Sequence, residues 1–305
     1  MDGKQNRREF LASACALAAL TWTTGARADE ASTGGDPGPW RIGCYTRPWG
    51  QYDYREALDA IAEAGYRHAG LMTADAPSGL VISMNTTEDE AVAVGEACEQ
   101  RGLAIPSVWG GGFAVEESLE AGIEGLRALL RNCAACGGRN LLVGGTANED
   151  LQERYYRAIA EVCEYAEELG VGMSVKPHGG GNATGPECRA IVQEVGHPSF
   201  GLWYDPGNIF YYSDGEIDPA EDAEGVGDVT VGMSVKDYAH PREVALTPGT
   251  GQVDFPEVLR KLWDSGFTGG PLVVETLAPG SKEELLAEAV KARAFLEALT
   301  AGLGA

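Results

Sequence analysis

VGMSVKPHGG at residues 171–180, FGLWYDPGN at 200–208, TVGMSVKDY at 230–238 and PLVVETL at 271–277 share one plan. Each is an apolar run that stops on a polar cluster: Lys176 and His178, then Asp205 and Asn208, then Ser234, Lys236 and Asp237, then Glu275. Strands buried on both faces of a parallel sheet read as nearly continuous apolar runs. In an eight-stranded β/α barrel the working residues stand at the C-terminal strand ends. The four stretches therefore predict an α/β fold, a single-domain (β/α)8 TIM barrel, with chemistry at its mouth.

The rest of the chain fits that frame. Strands are predicted at 41–45, 68–72, 104–109, 140–143, 172–175, 201–204, 230–235 and 272–274. Apolar residues at helical spacing alternate with them at 54–64, 88–101, 116–136, 148–169, 186–195, 255–265 and 282–299. Asp254 and Ser281 are placed as N-caps, and Gly65, Gly102, Gly137, Gly170, Gly196 and Gly266 follow helix ends as stops. The sixth crossover, 211–227, is acidic and rich in turn residues, so its helix is expected to be short.

The N-terminus reads as an export signal. Asn6-Arg7-Arg8-Glu9-Phe10-Leu11 carries a twin-arginine pair, an apolar stretch follows over 11–20, and Ala26-Arg27-Ala28 has the small residues of a cleavage site. The apolar stretch is too short to span a bilayer. The expected organisation is a twin-arginine signal peptide over 1–28, a flexible leader over 29–39 and the barrel over 40–300. Residues 40–300 suit a barrel, which takes roughly 250 residues. The precursor's expected partner is the twin-arginine export machinery, and the mature protein is expected in the periplasm or outside the cell, free of the membrane.

Charge narrows the ligands. The 305-residue chain holds 46 acidic and 23 basic side chains, a net charge of −23. A field of that sign repels phosphate backbones and anionic lipid, which argues against nucleic acid and favours neutral ligands over anionic ones. Of the cysteines, Cys133-Ala-Ala-Cys136 has redox or zinc spacing. It ends a predicted helix, where the dipole raises a thiol pKa, and no second CxxC completes a zinc site; packing is the expected role.

Gly249-Thr-Gly-Gln-Val-Asp-Phe255, the Leu262 to Gly269 stretch with Gly266-Phe267, Pro271-Leu-Val-Val-Glu275, Asp205-Pro-Gly-Asn208 and Val235-Lys-Asp237 together resemble the xylose-isomerase-like barrels of the sugar isomerase/epimerase superfamily. The resemblance runs over essentially the whole mature chain. It implies a divalent metal, often manganese, held by Glu, Asp, His and Glu at the tips of strands five to eight, polarising a hydroxy-ketone while carboxylates move the proton. Carried over by position, the aspartate is Asp205 and the last glutamate Glu275. Lys176 stands where the first glutamate belongs, Ser234 where the histidine belongs, and Asn208 replaces a histidine usual three residues after the aspartate.

Those exchanges alter the electrostatics. An ammonium repels a dication, so no metal is assigned at the family position; if manganese, magnesium or zinc binds, His178, Asp205 and Glu275 are the expected ligands. Lys176 and His178 lie two apart and point the same way from a strand. The candidate catalytic residues are Lys176, Asp205, Glu275 and Lys236: Glu275 as base, Asp205 assisting, and the lysines holding the enediolate that a metal holds in the family. His178, Asn208, Trp109, Tyr212 and Ser234 are candidate substrate contacts, with the aromatics placed to stack on a sugar ring. The expected activity is isomerisation, epimerisation or a related elimination on a small carbohydrate. The alternatives are a sugar-binding barrel that has lost its metal site, and Schiff-base chemistry at Lys176.

Overall fold

The computed structural model describes residues 38–303; the predicted export signal and most of the predicted leader lie outside the described residues. Eight strands appear in chain order: β1 (Trp40–Tyr45), β2 (His68–Gly70), β3 (Val108–Trp109), β4 (Asn140–Val143), β5 (Gly172–Val175), β6 (Phe200–Tyr204), β7 (Thr230–Val235) and β8 (Gly270–Val274). They pair in parallel in the order β2-β1-β8-β7-β6-β5-β4-β3. Parallel bridges His68–Ala104 and Leu71–Val108 join β2 to the β3 segment and close the ring.

Around the ring run α1 (Tyr54–Glu63), α2 (Glu88–Glu99), α3 (Leu119–Ala135), α4 (Glu149–Glu168), α5 (Gly185–Val195), α6 (Pro206–Tyr212), α7 (Pro219–Asp222), α8 (Phe255–Asp264) and α9 (Lys282–Ala301). The start signals are read directly by the backbone. Asp254 accepts from the Glu257 N–H, and Ser281 forms a reciprocal capping box with Glu284. Five of the glycines expected as helix stops adopt a left-handed φ between +65° and +87°, while Gly266 sits at +123°.

Two places depart from the predicted elements. Regular strand is confined to three residues in β2 and two in β3, at the seam of the barrel. Pro106, inside the predicted third strand, lacks the N–H a continuous ladder needs. In the sixth crossover α6 begins immediately after β6, because Asp205 caps it from the Asn208 N–H and Pro206 fills the first turn, where a missing N–H costs nothing. The four-residue α7 accounts for the rest of that crossover.

Inside the ring Tyr45, Met72, Leu142, Trp203 and Val273 form a closed layer. Gly232 on β7 admits it: a Cβ there would collide with the Trp203 indole. The polar members of this layer are paired, Tyr45 Oη with Ser107 Oγ at 3.0 Å, Asn140 Nδ2 with Ser174 Oγ at 2.7 Å and Trp203 Nε1 with Ser234 Oγ at 3.2 Å. All six described cysteines are buried and free of disulfides. Burial pushes the Cys133 thiol well up and Cys136 to about 11, and the Cys136 thiol donates to the Cys133 carbonyl, as packing residues do. Among the described residues no helix is long and apolar enough to cross a membrane.

Candidate active site

The twofold period of a strand builds the site from the layer beneath it. Ser174 on β5 is followed two residues on by Lys176, Trp203 on β6 by Asp205, Ser234 on β7 by Lys236 and Val273 on β8 by Glu275. Each of these four charged side chains therefore continues the inner face one step past the apolar layer, at the barrel mouth. All four are essentially buried, Lys176 at 2%, Asp205 at 0%, Lys236 at 3% and Glu275 at 1% exposure. Charges this deep persist only when paired.

They are paired to each other. Lys176 Nζ donates to Asp205 Oδ2 at 2.9 Å and to Glu275 Oε2 at 2.8 Å. Lys236 Nζ lies 3.2 Å from Asp205 Oδ2, 2.6 Å from Glu275 Oε1 and 2.9 Å from Asn208 Oδ1. Arg47, in the short 3-10 turn after β1, donates to Glu275 Oε1. The other Asp205 oxygen accepts from the Asn208 N–H at 3.0 Å, and Asn208 Nδ2 donates to the Pro177 carbonyl at 2.7 Å. Every carboxylate oxygen at the centre is thus already engaged by a cation or an amide.

The same contacts set the protonation states. Burial alone would raise the Glu275 pKa, but Lys176, Lys236 and Arg47 outweigh it and hold the carboxyl well below the usual range. Burial works against the Lys176 charge, yet Asp205 and Glu275 together leave its pKa raised. Lys176 is therefore a firm ammonium and a poor Schiff-base nucleophile. For Lys236 burial prevails, helped by repulsion from Lys176 and Arg47, and the pKa is lowered. His178 is pushed down to about 4, by burial first and then by the two ammoniums, so its imidazole is neutral near pH 7.

Above this ionic floor lies a cavity of about 320 Å³, lined among others by Arg47, Trp109, Lys176, His178, Tyr212 and Glu275. The His178 ring sits between Trp109 and Tyr212, with centroids at 5.8 and 5.3 Å. Gly179, at φ +83°, lets Tyr212 close over it; a Cβ there would stand 2.7 Å from the ring. Lys176 Nζ is 5.5 Å from the Trp109 ring centroid.

The candidate residues thus fall into three groups. Lys176, Lys236, His178, Asn208, Trp109, Tyr212 and Glu275 line the cavity, and Asp205 lies just beneath, anchoring both lysines. Ser234, expected as a substrate contact, is not among the residues lining the cavity: it is fully buried in the layer below, accepting from Trp203, because it sits two residues before the mouth residue Lys236. Glu275, expected as the base, is clamped as an anion by three cations and is a weak proton acceptor. Arg47, Thr73 and Tyr211 also line the cavity. Arg47 was open to discovery from sequence, since it lies two residues past the end of β1, as Lys176 and Glu275 lie just past theirs.

Asp237, next to Lys236, faces away from the cavity's ions. Its oxygens accept from the N–H groups of Tyr238, Gly249, Gly251 and Val253 at 2.8 to 3.1 Å. The Gly249–Phe255 motif is therefore a loop held by a buried carboxylate.

A divalent metal does not fit these residues. Asp205 and Glu275 are bridged by ammonium groups, and among the described residues no group of three His, Cys, Asp or Glu side chains is placed to hold an ion. The alternative ligand set His178, Asp205 and Glu275 is not assembled, because Lys176 and Lys236 stand between the two carboxylates.

Residues 58–299 match the family described as xylose isomerase-like TIM barrel, and the chain belongs to that family. Among solved structures it is similar to a xylose isomerase domain protein from Planctomyces limnophilus, with 17% identity and a TM-score of 0.65 over 85% of this chain and 97% of that one. It is similar to D-allulose 3-epimerase from Methylomonas sp., solved with D-allulose, with 19% identity and a TM-score of 0.67 over 86% and 98% of the two chains. D-psicose 3-epimerase from Clostridium cellulolyticum H10, solved with D-tagatose, has 16% identity and a TM-score of 0.67 over 85% and 99%. At these identities the likeness is one of fold. Comparison with curated proteins finds no match.

Proposed function

We propose that this barrel is an exported sugar isomerase or epimerase whose ammonium cluster does the work of the family's metal. The observation that carries the reading is Lys176 Nζ, fixed between Asp205 and Glu275 at the floor of a cavity walled by Trp109 and Tyr212. Two of its three N–H groups are used by the carboxylates, and the third is available to a ligand oxygen. A keto sugar seated on the aromatic wall would offer its carbonyl there. As the neighbouring C–H proton passes to the neutral His178 imidazole, the electron pair moves onto the carbonyl oxygen, and Lys176 stabilises the resulting enediolate. Return of the proton from the imidazolium to the former carbonyl carbon, with the O–H proton shifting to the other oxygen of the enediolate, isomerises; delivery of a proton from water to the opposite face of the original carbon, with the imidazolium releasing its own to solvent, epimerises. Asp205 and Glu275 act by holding the lysines charged and in place.

The test is proton exchange. With a panel of keto sugars and sugar acids in D2O, the protein in the presence of EDTA should exchange the C–H next to the carbonyl of at least one compound, followed by NMR. No exchange across the panel refutes the reading. A second reading, a binding barrel without turnover, is favoured by the saturation of both central carboxylates; it predicts calorimetric binding of a compound that shows no exchange.

A further inference from the structure

The ionic floor of the cavity is not balanced. Arg47, Lys176 and Lys236 supply three positive charges, and Asp205 and Glu275 supply two negative ones. Lys236 Nζ donates to Asp205 Oδ2 and Asn208 Oδ1 and lies 2.6 Å from Glu275 Oε1; burial lowers its pKa, but contact with two carboxylates keeps it an ammonium in the resting site. Asp237 does not supply the missing charge, since four backbone amides take up its oxygens. No other carboxylate pairs with these cations among the described residues. The excess arises in a chain of net charge −23, so it belongs to the site and not to a basic composition.

The position of the excess is defined. Arg47 is the outermost of the three cations, its side chain 38% exposed where those of Lys176 and Lys236 are 2% and 4%. Its hydrogen bond to Glu275 uses Nη1, and among the described residues its Nε and Nη2 make none. An unengaged guanidinium edge matches the two oxygens of a carboxylate.

We propose that the ligand of this cavity is a sugar acid, a monocarboxylate whose carboxylate rests on Arg47 while its carbonyl or hydroxyl oxygens meet Lys176 and His178. The inference rests on the carbohydrate reading above and names the charge of the substrate within it. One negative charge balances the site, whereas a phosphate ester, as a dianion, overshoots. The cavity, at about 320 Å³, stands at the small end of the range of roughly 300–1,000 Å³ for ligand sites, in keeping with a monosaccharide acid. The whole-chain charge favours neutral ligands; inside the cavity the nearer charges reverse that preference, because the distant acidic surface is screened beyond about 10 Å while the buried cations are not.

The experiment is titration calorimetry of the whole mature protein with matched probes. 2-Keto-D-gluconate and D-fructuronate differ from D-fructose by oxidation of one terminal carbon, and D-fructose 6-phosphate supplies the dianion. At least one acid should bind tenfold or more tightly than D-fructose, with the advantage shrinking as salt is raised. Arg47→Gln should abolish the advantage, so that the acids bind no more tightly than D-fructose does to the same variant, and Arg47→Lys should retain part of it. D-fructose binding as tightly as both acids, a preference for the phosphate, or an advantage untouched in Arg47→Gln would each overturn the assignment while leaving the carbohydrate reading in place. Failure of every probe to bind would overturn both.

Discussion

Replacing Lys176 by methionine tests the centre of the site. The change keeps much of the side-chain volume and removes one charge that touches two carboxylates, at 2.9 and 2.8 Å. At an effective dielectric near 20 each contact is worth about 6 kcal/mol of gross Coulomb energy, most of it offset by the desolvation of the ammonium. Breaking a buried pair by removing one partner costs about 3–5 kcal/mol. Lys236 still bridges the same carboxylates, so the loss should fall at the lower end, about 3 kcal/mol, or a melting temperature lower by about 6–10 °C for a barrel of this size. The sign of the pH dependence follows from Glu275. Its pKa is depressed in the folded protein, so its contribution to stability is present above the unfolded value of about 4.3 and is lost as pH falls through the folded value. In Lys176→Met the folded value rises, and the gap between the two proteins should be widest above pH 4.5 and close toward strong acid. Urea unfolding across pH, with ligand binding measured in parallel, reads both. A variant as stable as the parent at pH 7, or a gap that persists unchanged in acid, refutes the role of Lys176 as the charge that holds the site together.

Dialysis of the folded protein against manganese or zinc, followed by metal analysis, should leave less than one ion per chain; a tight stoichiometric ion contradicts the account of Lys176 and Lys236 as its replacement. Because His178 is neutral above about pH 4, C–H exchange should be flat through neutral pH and fall as pH drops through about 4, and His178→Gln should lower it by about 100-fold or more. An acidic limb near the ordinary histidine value, or full activity in that variant, removes His178 as the base. Gly179→Ala places a methyl against Tyr212 at a backbone φ of +83° and should destabilise the protein by about 1–3 kcal/mol while weakening ligand binding; a neutral outcome in thermal unfolding would mean that the Tyr212 wall gives way easily. Changing Arg7 and Arg8 to lysine should retain the precursor in the cytoplasm, as fractionation will show; undiminished export means that the N-terminal signal has been misread.

The barrel was legible because its β5 to β8 strands are almost wholly buried and carry no charged residue before the tip, their only polar side chains being the small Ser174, Thr230 and Ser234. The β2 and β3 strands were overextended because apolar character does not reveal the seam, where Pro106 leaves only bridges. At the site the period of two decided most placements: it carries Lys176, Lys236 and Glu275 from an interior layer to the mouth, and the same period leaves Ser234 in the layer below the cavity. Arg47 went unread since its partner, Glu275, lies 228 residues away in the chain, and a lone arginine after a strand carries no local sign of pairing. The protonation of the site was equally hidden. That Glu275 is clamped depends on cations converging from three strands, and that His178 is neutral depends first on its burial and then on two of those cations; no local stretch of sequence contains either sum.

The buried Asp237 carries a consequence of its own. Three backbone amides of the Gly249 to Phe255 loop rest on this carboxylate, while Lys236, one residue away at the same strand end, lines the cavity. The anchor of the loop and the ionic floor of the cavity are thus adjacent in the chain yet bonded to different partners. Side chains at the mouth can therefore change without disturbing the loop's anchor, so a signature of this kind speaks for the fold while remaining silent about chemistry.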